Sequence, residues 1–185
     1  MELIRKYLLD DHQTNREELL YELDKLRHLN PKGTQRTNAG GWHSDDLISN
    51  SKFDTLNKSI VHVINNDIFK EELVTGIASS WIVVNNKGHF MHKHNHQKNT
   101  ISGCFYIKYP KNSGNINFYL KDKKMKITGE DAMLLLFPGI INHDVDVNKT
   151  EEDRIVYSFN VQNYNVQGND RKYYKLLEKW EKYDK

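Results

Sequence analysis

Four of the chain's nine histidines fall between residues 89 and 96, as His89, His92, His94 and His96. The last three alternate: His92-Lys93-His94-Asn95-His96. Alternate side chains of an extended strand share a face, so two or three imidazoles project together. Imidazole is the usual nitrogen ligand for iron, zinc, copper and nickel. A catalytic ion needs a third protein ligand and open positions for reactants. The candidate for that third place is His143, 49 residues beyond His94 and just after Phe137-Pro138-Gly139. Two alternatives stay open: His92 with His94 as the paired ligands, and Asp144, whose parity opposes His143, as a carboxylate donor.

Eleven residues after His143, Arg154 opens an extended run, Arg154-Ile-Val-Tyr-Ser158-Phe-Asn160. Arg154, Val156, Ser158 and Asn160 share one face of it. An arginine among inward-facing residues is costly without an anion, and its planar fork fits a carboxylate. Ser158 can add a hydrogen bond to that anion. A salt bridge from Arg154 to Glu151 or Asp153 is the structural alternative. Tyr106 has the parity of Ser102 and Cys104, either as core or as a contact to the bound anion.

Such residues need a rigid frame. Residues 1–75 read as a helical platform. Thr14 and Glu17 have capping-box spacing ahead of an apolar stripe, Leu19, Leu20, Leu23 and Leu26. Asn30-Pro31-Lys32-Gly33 stops that helix. A polar stretch, 34–50, contains Gly40-Gly41-Trp42, and a second helix is predicted near 53–69 with Phe53, Leu56, Ile60 and Ile64 on one face. Residues 76–161 read as a β core, with strands at 76–85, 100–109, 115–120, 132–137, 141–147 and 154–161 between Gly, Pro and Asn turns. Many short strands in one run suggest a sandwich or jelly roll. Tyr173, Leu176, Leu177, Trp180 and Tyr183 recur at helical spacing, which predicts a C-terminal helix over 169–184 packed on the sheet.

The chain has 185 residues, enough for one domain. With 27 basic and 25 acidic residues its net charge is +2, which argues against a nucleic-acid partner. Lys121, Lys123, Lys124 and Lys126 are expected in a solvated turn. The one cysteine, Cys104, excludes an internal disulfide and a cysteine zinc site, and its apolar neighbours place it in the core. Met1–Leu9 alternates charge with apolar residues, unlike a secretory leader, and no apolar run approaches the roughly 20 residues a bilayer requires. The expected location is cytoplasmic. The oligomeric state is open, a homodimer included.

The ordered set resembles the 2-oxoglutarate/Fe(II) dioxygenase superfamily: H-x-D/E, a gap of about fifty residues, a distal His, then Arg about ten residues on. Ser102-Gly103-Cys104-Phe105-Tyr106-Ile107, Leu135-Leu136-Phe137-Pro138, Ile141-Asn142-His143 and Arg154–Asn160 resemble a small bacterial and phage branch of it. The resemblance covers residues 40–162. It implies an all-β double-stranded β-helix with flanking helices, Fe(II) on His94, His96 and His143, and 2-oxoglutarate as cosubstrate. It also implies Arg154 on the far carboxylate of that acid, with Ser158 and Tyr106 beside it. His92 and Trp81 are expected at the substrate pocket. The implied activity is hydroxylation of a C–H bond in an amino acid, a peptidyl residue or another small molecule, with release of succinate and CO2. No catalytic side chain is expected beyond the metal centre. Position 96 departs from the pattern, being His where Asp or Glu is the rule. Two rival functions therefore stand beside this one: a cupin-type three-histidine dioxygenase without the oxo acid, and a non-catalytic metal-binding jelly roll.

Overall fold

The computed structural model describes residues 4–68, 76–96, 101–120 and 123–162. The C-terminal helix expected over 169–184 lies outside the described residues.

The chain opens on a strand, β1 (Arg5–Leu8), followed by α1 (Asp11–Thr14), α2 (Arg16–Leu29), β2 (Asn38–Ala39), β3 (Trp42–His43), a 3-10 turn (Ser51–Phe53) and α3 (Asp54–Asp67). Then come β4 (Ser79–Asn85), β5 (Phe90–His94), β6 (Ile101–Lys108), β7 (Ile116–Leu120), β8 (Lys123–Ile127), β9 (Met133–Pro138), β10 (Asn142–Val145) and β11 (Arg154–Val161). They form a six-stranded sheet, β1-β9-β6-β11-β4-β3, and a five-stranded sheet, β2-β5-β10-β7-β8. Every strand pair is antiparallel.

Period-two alternation decides which side each residue serves. On the large sheet Ile82, Val84, Phe105, Ile107, Leu134, Leu136, Tyr157 and Phe159 face the helices. There they meet Leu19 and Leu23 of α2 and Leu56, Ile60 and Ile64 of α3, all buried. The intervening residues, among them Cys104, Tyr106, Met133, Leu135 and Phe137, face Ile116 and Phe118 of the small sheet. The large sheet is thus covered on both faces, and its inner face forms the wall of the interior. Gly103 permits this closeness, since a Cβ there would lie 2.3 Å from the Phe159 ring and 2.6 Å from the Leu135 carbonyl.

Three expectations are corrected. The capping box falls on Asp10 and Gln13, which exchange bonds of 3.0 Å, and not on Thr14 and Glu17. Asn15, at φ 50°, breaks the chain there into two helices. Arg5–Leu8, expected helical, is instead an edge strand paired with β9. The lysine cluster is not a turn: Lys123, Lys124 and Lys126 lie on edge strand β8, where exposed lysines discourage pairing with another chain.

Candidate metal and oxo-acid site

β5 and β10 are neighbours, and their register sets His143 directly opposite His94. Sheet pairing thereby cancels the separation of the two residues along the chain. His96 follows the end of β5, and its backbone N–H donates to the Gly139 carbonyl at 2.7 Å. Ring centroids are 4.4 Å apart for His94 and His143, 5.1 Å for His94 and His96, and 5.2 Å for His96 and His143. One nitrogen from each ring lies within 4.8 Å of the other two, close enough for a single ion to draw them together. It is the one such cluster of potential ligands among the described residues.

Two of the three rings are fixed in a ligating tautomer. Nδ1–H of His94 donates to the His92 carbonyl at 2.7 Å, and Nδ1–H of His143 to the Ile141 carbonyl at 3.0 Å. A carbonyl only accepts, so in both rings Nε2 keeps a bare lone pair. Burial disfavours imidazolium at all three positions. His96 is lowered to about 3 by burial and then by the neighbouring His143 and His94 rings. His143 falls to about 4 by burial and by His94, and His94 moves in the same direction, chiefly by burial. Neutral imidazole is the form a metal binds.

The expected pocket position of His92 is corrected. A register shift between His143 and Val145 sets Val145 opposite Met91, so three β5 steps match two on β10. Such a bulge reverses alternation locally. Met91 and His94 therefore both line the interior, while His92 is exposed, edge-on to Phe90 at 4.9 Å. Asp144 points away from the centre, accepting from Asn117 Nδ2 at 2.7 Å and from the Tyr119 hydroxyl.

The triad opens into a cavity of about 420 Å³ between the sheets, also lined by Trp81, Tyr106, Arg154 and Ser158. Strand register arranges these in rows, Arg154 beside Asn85, Val156 beside Tyr106, and Ser158 between Cys104 and Trp81. Cys104, expected in the core, is buried and lines this cavity, hydrogen-bonded to Tyr106. Trp81 packs against His96, centroids 5.9 Å apart, and stacks on His43 at 5.8 Å.

Arg154 is fully buried. Its Nη1 donates to the carbonyls of Ser113, Gly114 (3.4 Å) and Asp146 (3.3 Å), and its Nη2 to Asn85 Oδ1 at 3.0 Å. Nε has no partner. The carboxylates considered for it are engaged elsewhere: Glu151 with Lys87, Asp153 with Arg27 at 3.7 Å. A buried guanidinium held by neutral oxygens, with one N–H unsatisfied, suits an incoming anion. Gly114 makes this cradle possible, because a Cβ at its φ of +99° would lie 2.8 Å from Nη1. The cradle residues Asn85, Ser113 and Gly114, and the cavity-lining His43, were not singled out from sequence. Only the Pro110–Gly114 turn signal pointed towards two of them.

A double-stranded β-helix with a histidine-lined centre in its interior is the class these features define. A family described as "Putative 2OG-Fe(II) oxygenase" matches residues 79–133, a stretch holding Trp81, His94, His96 and Tyr106 but ending before His143 and Arg154. No curated protein matches the chain. Among solved structures, a Pseudomonas putida prolyl-4-hydroxylase superposes with a TM-score of 0.65 at 12% identity, over 88% of this chain and 93% of that one. HygX from Streptomyces hygroscopicus, solved with nickel and 2-oxoglutarate, gives 0.67 at 9% identity over 88% and 84%. The viral collagen prolyl hydroxylase of Paramecium Bursaria Chlorella virus-1, a 2-oxoglutarate complex, gives 0.62 at 12% identity over 86% and 96%. These likenesses establish the fold.

Proposed function

We propose that the chain is a 2-oxoglutarate- and Fe(II)-dependent oxygenase that hydroxylates a C–H bond of an amino acid, a peptidyl residue or another small molecule. One observation carries this: a single cavity holds both a converged imidazole triad and a buried guanidinium without a carboxylate partner among the described residues. The triad supplies three nitrogen donors, and Arg154 Nε, with Ser158 and Tyr106, supplies the far end of a short dicarboxylate. When bound, Fe(II) would activate O2, the oxidant, with 2-oxoglutarate giving up two electrons as it decarboxylates to succinate and the substrate C–H bond giving the other two. The protein positions the ion and the acid and limits water through the apolar wall of Ile116, Phe137 and Val156. Peptidyl proline heads the substrate candidates, since four of the similar solved structures are prolyl hydroxylases.

The all-histidine ligand set favours a second reading, the cupin-type dioxygenase. That chemistry has no use for a buried arginine in the same cavity. Fe(II)-dependent formation of succinate from 2-oxoglutarate, with or without a second substrate, separates the two. The oxygenase produces succinate above a metal-free control. A chain that produces none, while binding the metal, is not this enzyme.

A further inference from the structure

Among the described residues, the cluster that would hold the ion includes no carboxylate. His94, His96 and His143 are all neutral donors. Asp144 is held by Asn117 and Tyr119. Asp45 and Asp46 also line the cavity, but both are exposed and neither belongs to the histidine cluster. Asp45 accepts from the Thr34 hydroxyl at 2.8 Å, and Asp46 from the Ile48 N–H at 2.9 Å. The sequence following His96, Gln97-Lys98-Asn99-Thr100, contains no acid. The other buried charge lining the cavity, Arg154, is also positive. A divalent ion here would add two positive charges to a cavity already lined by the buried Arg154 guanidinium. Such charge is costly until a counter-ion enters.

We propose that His96 makes metal retention depend on the oxo acid: the site holds a divalent ion weakly alone and firmly once a dianion bridges it to Arg154. This rests on the proposed function and adds to it an order of assembly. A carboxylate at position 96 would act oppositely. It would neutralise half the ion's charge beforehand and repel the incoming dianion, so the ion would bind better alone and the acid would add less. Because coupling between two ligands is reciprocal, it is measurable from either side.

The test is anaerobic calorimetry of Fe(II) titrated into the full chain, with and without saturating 2-oxoglutarate. The ratio of the two dissociation constants is the coupling factor. Wild type is expected to show a factor of roughly 100 or more. His96→Asp should tighten Fe(II) binding alone and reduce that factor at least tenfold, and His96→Glu repeats the charge on a longer arm. His96→Asn, an oxygen donor without charge, should keep the wild-type factor within about threefold, which separates charge from donor type. A wild-type factor near one, or equal factors in wild type and both acidic variants, overturns the inference and leaves the proposed function standing. Wild type that binds neither Fe(II) nor 2-oxoglutarate overturns both.

Discussion

At the scale of single residues, two side chains define the site. His143 is the buried member of the triad, with its Nε2 lone pair turned free by the bond from Nδ1 to Ile141. His143→Ala should weaken metal binding by roughly 100-fold or more, since it removes a ligand outright where outer partners alone are worth 10–100-fold. Metal titration of the purified variant reads this. His92→Ala, which alters an exposed ring outside the cavity, should bind metal as wild type does. An equal loss in both variants would return His92 to the ligand set. Arg154→Gln should cost about 2–5 kcal/mol of 2-oxoglutarate affinity, the scale for losing one member of a buried charge pair. Calorimetry on the metal-loaded variant measures it, and unchanged affinity would show that the acid lies elsewhere. The histidine pattern and the Arg spacing were legible in sequence because each follows from residue type and interval. The partners of Arg154 were not, because backbone carbonyls of residues 113, 114 and 146 carry no side-chain signature.

At the scale of elements, legibility followed amphipathic strength. The β11 bounds, 154–161, and the apolar faces of α2 and α3 were all readable, since each pairs a clear period with a strong burial contrast. β1 and β8 were not. Each is an edge strand rich in charge, and strand character there comes from a neighbour's hydrogen bonds. The β5 bulge was equally invisible, because it arises from the register with β10 and from no pattern within β5 itself. This distinction predicts separable effects. Ile60→Ala in α3 removes a fully buried side chain from the helix-facing core and should cost about 2–5 kcal/mol of stability. Metal affinity should hardly change, because the residue packs on the far face of the large sheet. Chemical denaturation and metal titration of the same sample check both halves. Gly103→Ala should be destabilising by about 1–3 kcal/mol, through contact with Phe159 and the Leu135 carbonyl. A melting temperature equal to wild type would contradict that packing.

At the scale of the molecule, the two sheets do different work. The large one, backed by helices, is a rigid wall that carries Arg154, Ser158, Tyr106 and Trp81. The small one carries His94 and His143 on paired strands. With Arg154 and the paired histidines on opposite sheets, the proposed function makes the cavity width the quantity that would select the bridging molecule. No described helix is long and apolar enough to cross a membrane. The most direct test of the account is a crystal structure of the full chain loaded anaerobically with Fe(II) and 2-oxoglutarate, with diffraction recorded at the iron absorption edge. The account predicts one anomalous peak within bonding distance of nitrogens from His94, His96 and His143, and the far carboxylate of the acid against Arg154 Nε. An iron peak away from this triad, or an acid whose far carboxylate leaves Arg154 untouched, would contradict it.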